Sequence, residues 1–106
     1  MLPKKIKIAG VNYKIDLKEL TPLSELERND CHFQMGWCIE PTTTIEVNSV
    51  MSKEKIKQTL IHEMVHGLMR ESGLDSELEN EEEITNRLGL VLYQTLKDND
   101  FTFIRK

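Results

Sequence analysis

Between Ser52 and Gly73 the chain reads as one amphipathic helix, and that helix carries His62-Glu63-Met64-Val65-His66. Apolar residues recur at Ile56, Leu60, Ile61, Met64, Val65, Leu68 and Met69, the spacing of a 3.6-residue period. Ser52 is placed to cap the N-terminus, Glu54 complements the helix dipole in the first turn, and Gly73 stops the helix. On a helix, positions i and i+4 share a face, with Cβ atoms roughly 5–6 Å apart. His62 and His66 can then offer ring nitrogens to one tetrahedral metal ion. Glu63 stands beside the position left open for water. Two neutral imidazoles and one carboxylate base at this spacing are the parts of metal-assisted hydrolysis.

A catalytic zinc site needs a third protein ligand. The chain has three histidines, and the third, His32, lies in a region read as extended. An extended H-E-x-x-H-x-x-G-x-x-H motif is excluded, because Met69 and Ser72 stand where it needs Gly and His. The ligand is therefore a carboxylate, His32 or a thiol. Ser76 with Glu79 fits a capping box for a second helix running to about Lys97. A short connection makes the two helices antiparallel, with His66 level with Glu83 and His62 with Arg87. Glu81, Glu82 and Glu83 all fall near that level. The stripe Leu78, Glu82, Thr85, Gly89, Leu92 and Leu96 directs Glu82 into the seam, with small Thr85 and Gly89 permitting close approach. Glu83 has an alternative partner in Arg87 at i+4, and Glu81 neighbours Ile84 and Leu88.

Ahead of the helices, residues 4–8 and 11–17 alternate apolar and polar around Ala9-Gly10, the pattern of a β-hairpin. Pro22 is placed to open a short helix over 23–28. Residues 31–40 read as extended with a bend at Gly36, Pro41-Thr42-Thr43 as a turn, and Thr44–Asn48 as a strand with Ile45 and Val47 on one face. The tail Phe101-Thr102-Phe103-Ile104 reads as a short strand or an apolar tuck. The expected fold is a small α+β domain spanning 1–106: an N-terminal hairpin and short antiparallel sheet, packed on two antiparallel helices.

The segments Thr59–Gly67 and Glu82–Gly89 resemble those of the small gluzincin-type zinc metallopeptidases, most closely the ImmA/IrrE-like and phage-encoded peptidases with H-E-x-x-H. The resemblance covers about residues 36–98. It implies a zincin-like fold, one Zn2+ held by His62, His66 and Glu82, and Asn86 as the group orienting the His62 ring. It also implies that the strand Thr44, Ile45, Glu46, Val47 is an edge strand over the cleft, pairing with an extended peptide substrate.

On this reading Glu63 is the general base. Tyr93 is a candidate for stabilising the transition state, alongside Tyr13, His32 and Arg87. Met35 and Trp37 are candidates for the core or for a cleft wall. The partner is a peptide or a specific intracellular protein. The alternative is a catalytically silent, zinc-stabilised protein-binding module. Net charge is −4, with acid concentrated between Asp75 and Glu83, which argues against nucleic acid. No apolar run approaches a membrane span, and Met1–Lys7 has no secretory apolar region, so a cytoplasmic location is expected. Cys31 and Cys38 do not have zinc-knuckle spacing and are expected to be free thiols.

Overall fold

A computed structural model describes residues 2–20 and 34–106. The short helix expected over 23–28, Cys31 and His32 lie outside the described residues. Strands β1 (Lys5–Ile8) and β2 (Val11–Lys18) form the hairpin, paired from Ile8↔Val11 to Lys5↔Lys14. Ala9 (φ 51°) and Gly10 (φ 83°) are both left-handed, as a two-residue turn compatible with strand twist requires. Strands β3 (Gly36–Ile39) and β4 (Thr44–Asn48) form a second antiparallel pair across the Pro41-Thr42-Thr43 turn.

The strand order is β1-β2-β4-β3. Because β2 and β4 run parallel, from Lys14↔Thr44 to Lys18↔Asn48, the sheet is mixed rather than antiparallel as expected. The order also moves the expected edge strand. Thr44, Ile45, Glu46 and Val47 pair on both sides, with β2 and with β3, so β4 is an inner strand and β3 is the edge. Alternation alone does not distinguish an inner strand from an edge strand, and here β4 is paired along both edges with one face packed on the helix layer. Ile45 and Val47 are fully buried with Tyr13, Ile8, Ile15 and Leu60 in the core.

Helix α1 (Lys53–Ser72) covers this sheet. Ser52 Oγ accepts from the Lys55 amide at 3.2 Å, and Gly73, at φ 81°, closes the helix in the left-handed conformation that glycine adopts freely. Gly67 brings the helix onto the hairpin: a Cβ there would meet Ile8 Cδ1 at 2.8 Å. Tyr13 is fully buried and its hydroxyl donates to Glu71 Oε2 at 2.5 Å, satisfying the one polar atom that a buried tyrosine brings.

Helix α2 (Glu81–Asp98) begins later than the capping box places it. Ser76 sits instead in a 3-10 turn (Leu74–Ser76), where its Oγ donates to the Gly73 carbonyl, and Asn80 occupies the cap position without a side-chain cap bond. A second 3-10 turn, Thr102–Arg105, replaces the expected strand or tuck, and Phe103 and Ile104 stay exposed. The helices are antiparallel, as the cross-pairs Glu81–His66 and Tyr93–Glu54 require. The buried face of α2 is Thr85, Gly89 and Tyr93, not the line through Leu92 and Leu96, and Leu96 is largely exposed. Among the described residues no helix is long and apolar enough to cross a membrane.

One buried polar side chain joins the two described parts of the chain. Asn48 is fully buried; its Oδ1 accepts from the amides of Leu20 (3.3 Å) and Val50 (3.2 Å), and its Nδ2 donates to the Gln34 carbonyl (2.8 Å). Asn48→Ala leaves these backbone groups without their partner and is expected to cost about 2–4 kcal/mol in urea unfolding. A cost within error of zero would show that the three hydrogen bonds contribute nothing net.

Candidate metal centre

The turn of α1 that carries the motif has its two faces occupied differently. Towards the sheet, Glu63 lies under β3, at Gly36. A Cβ on Gly36 would come within 2.8 Å of the Glu46 carbonyl oxygen, 2.9 Å of Thr59 Cγ2 and 3.2 Å of Glu63 Cγ, so only glycine lets the strand lie this close. Glu63 is consequently 6% exposed. Burial is the main cause that raises its carboxyl pKa to about 7; His66 opposes the shift and Glu82 adds to it. Towards α2, Gly89 faces the His62 backbone, where a Cβ would stand 3.4 Å from His62 Cα. Thr85, fully buried, donates its hydroxyl to Met69 Sδ at 3.8 Å. These are the small residues the sequence places in the seam.

With the helices this close, the first turn of α2 reaches the histidines. Glu82 Oε1 lies 3.0 Å from His62 Nε2, and Glu82 Oε2 lies 3.0 Å from His66 Nε2. Donor atoms of His62, His66 and Glu82 all lie within 4.8 Å of one another. The imidazole rings stand nearly perpendicular, with centroids 5.0 Å apart. Burial lowers the His62 pKa, against the pull of Glu82, and so favours the neutral, ligating form.

Glu81 has a role the sequence reading did not give it. Its Oε1 accepts from His66 Nδ1 at 2.9 Å. A neutral ring that donates from Nδ1 presents a lone pair at Nε2, the nitrogen facing Glu82. On that tautomer His66 turns a lone pair towards Glu82, while His62 Nε2 stands 3.0 Å from Glu82 Oε1 as a hydrogen-bond partner. Two imidazoles and a carboxylate are also groups that a cation can share. Tetrahedral zinc with bonds of about 2.0 Å separates its donors by about 3.3 Å, close to the 3.0 Å contacts here. The donor types are ones that zinc takes, and all three donor atoms lie within 4.8 Å of one another. Three consecutive glutamates opening α2 divided attention in the sequence; only the helix rotation assigns them. Glu83 turns away and pairs with Arg87 at 2.8 Å.

His62, His66 and Glu82 lie in a cleft of about 560 Å³ between β3 and the two helices, with Glu63 in its wall. Met35 and Trp37 line it, and both are substantially exposed rather than core. Cys38, expected as a free thiol, and Arg70, which the sequence reading passed over, also line it: Arg70 donates from Nη1 to Cys38 Sγ at 3.3 Å, and Glu40 Oε2 lies 3.2 Å from Arg70 Nε, off its N–H axis. Burial pushes the Cys38 thiol up, against Arg70, and its sulfur is free.

Other expected site residues are not brought together. Asn86 borders the cleft but is exposed and makes no hydrogen bond to His62. Tyr93 is drawn into the seam two turns away, where its hydroxyl donates to Glu54 Oε1 at 2.6 Å beside Lys97. Tyr13 is committed to Glu71 and Arg87 to Glu83, so none of these three reaches the cleft. Comparison with known protein families, curated proteins and solved structures finds no match to this chain.

Two outcomes follow from this geometry. The folded-state pKa of Glu63 lies above its ordinary value of 4.5, so the folded protein holds a proton that the unfolded chain releases. Stability of the metal-free protein falls as pH rises from about 4.5 to about 7, by roughly 2–3 kcal/mol. Glu63→Gln flattens that dependence in urea titrations of chelated protein; an unchanged slope would assign it to other groups. Glu81→Ala should weaken zinc binding about 10- to 100-fold in competition titrations, while Asn86→Ala should leave it unchanged. The reverse order would transfer the orienting role to Asn86.

Proposed function

We propose that this chain is a zinc-dependent metallopeptidase of zincin-like type, acting on a peptide or protein substrate. The observation that carries the reading is the convergence of His62, His66 and Glu82 donor atoms beside a carboxylate, Glu63, held in a dry wall of the same cleft. Ligands alone are common in structural sites, which are closed by a fourth protein ligand. Among the described residues three donors converge, and a carboxylate placed to act as general base stands beside them.

When bound, zinc supplies Lewis-acid polarisation and lowers the pKa of a ligated water towards 7. His62 and His66 hold the ion through Nε2, and Glu82 adds the anionic ligand. Glu81 keeps His66 in the required tautomer. Glu63 takes the proton of the attacking water on its carboxylate and returns it to the leaving amine.

An extended peptide has a place to lie. In the antiparallel register of β3 with β4, the Asn48 amide bonds to the Met35 carbonyl, so alternate residues Gly36 and Cys38 direct their backbone groups to the edge that no described strand pairs with. The Gln34 side-chain amide donates to the outward Gly36 carbonyl, and the Cys38 backbone groups point the same way. A substrate strand added to β3, rather than to β4, passes along the cleft beside Trp37.

The second reading, a zinc-stabilised binding module without catalysis, draws on one observation: Tyr93, Tyr13 and Arg87 all have other partners, so none of them serves the carbonyl oxygen. The deciding experiment combines metal content with hydrolysis. Protein purified without added metal should hold about one zinc per chain; Glu82→Ala should lose it and Glu83→Ala should keep it. Glu63→Gln should keep zinc and lose hydrolysis of a peptide library by about a hundredfold or more. Zinc without hydrolysis in the native chain would establish the binding module, and equal zinc loss in the two glutamate variants would reject Glu82 as ligand.

A further inference from the structure

Helix α2 packs on α1 and makes no comparable contact with the sheet, so among the described residues its far side has no packed partner. On that side Val65 and Leu68 of α1 and Leu88, Val91 and Leu92 of α2 line an apolar groove of about 570 Å³, closed at one end by Leu74. Leu68, Leu88 and Val91 are 43%, 52% and 65% exposed. A contiguous patch of large aliphatic side chains on a small domain marks a surface that something covers.

The chain itself carries a segment of matching chemistry. Phe103 and Ile104, in the turn after α2, are 66% and 68% exposed, as open to solvent as anything apolar among the described residues. Phe101 stacks loosely on Phe103, with centroids 6.2 Å apart, and neither ring is seated in the core. Thr102–Arg105 form a 3-10 turn here; opened to extended form, four residues span roughly 10 Å between their end Cα atoms. Leu88 to Thr95, the length of α2 that lines the groove, rises about 10 Å. Charge fits as well. Arg105 and Lys106 follow the apolar residues, whereas Asp75 and Glu77 follow Leu74 at the closed end of the groove. In this structure the tail lies outside its own groove.

We propose that the groove between α1 and α2 is a docking site for the Phe101–Lys106 tail of a second copy of this chain, giving a reciprocal dimer. Two tails enter two grooves, as a two-fold axis requires. Phe103 and Ile104 bury their side chains against Leu88 and Val91, and Arg105 and Lys106 approach Asp75 and Glu77 at the closed end. The metal cleft lies on the opposite side of the helix pair, so the dimer leaves it open. This inference does not rest on the peptidase reading.

Sedimentation velocity over a concentration series tests it on the full chain, with three variants chosen to preserve the fold: Val91→Glu in the groove, Phe103→Ser with Ile104→Ser in the tail, and Arg105→Glu with Lys106→Glu. All these positions are exposed, so circular dichroism should match the native protein. The native chain should dimerise. The groove and tail variants should each weaken the dimer by about a hundredfold and the charge variant by about tenfold. Mixing the groove variant with the tail variant should restore association, since one intact groove then meets one intact tail. A native chain that stays monomeric at every concentration overturns the proposal. So does a dimer lost in Val91→Glu but kept in the tail variant, which would mean that the helix faces pack directly on one another.

Discussion

The rest of the structure depends on how closely the backbone of α1 is approached from two sides. On the sheet side, Gly67 admits Ile8 and Gly36 brings β3 down on Thr59 and Glu63. On the other side, Gly89 lets α2 come against His62. A Cβ at Gly36 or Gly67 would collide within 3 Å, and an interior packed at crystal density has no slack to absorb that. Had either layer stood further from α1, Glu63 would be wet or Glu82 out of reach.

The same proximity organises the charges. Glutamates in the first turn of α2 favour the helix dipole wherever they point. Here the rotation of α2 puts them to three uses: Glu82 bridges both histidines, Glu81 orients His66, and Glu83 pairs with Arg87 in solvent. Glu63 is the buried carboxylate of the group, and burial is the largest influence on its proton. A carboxylate kept dry beside a cation-seeking cluster is the combination that the proposed chemistry asks for. The second face of α2 makes a separate point. A helix with one partner must either be polar on its far side or find another partner, and Leu88 and Val91 are not polar.

The local signals proved reliable where chemistry and geometry were both local. Ser52, Gly73 and the Ala9-Gly10 turn are fixed by backbone groups within four residues of themselves, and each stands where the pattern places it. The Ser76 and Glu79 pair shows the limit. It has the residues of a capping box, but Gly73 continues into a 3-10 turn that takes up Ser76, and α2 starts at Glu81 instead. Tyr93, a sequence candidate for stabilising the transition state, stands one turn past Gly89. It does share the seam with Gly89, yet that seam leads away from the cleft, and Glu54 and Lys97 hold it there.

By itself the sequence determined the two helices, the hairpin, the i, i+4 histidines with Glu63 between them, and small residues at 85 and 89 where the helices meet. All of these follow from periodicities and spacings that act over a turn or two of chain. Tertiary structure alone decided that β4 is inner and β3 the edge, because a parallel pairing of β2 with β4 joins segments that no short-range pattern links. It also decided that Asn48 would hold Leu20 and Gln34 together, and that Glu81 rather than Asn86 would meet a histidine ring. Each of these depends on the rotation or register of one element against another, which is set by the packing of the whole core and is written in no single stretch of residues.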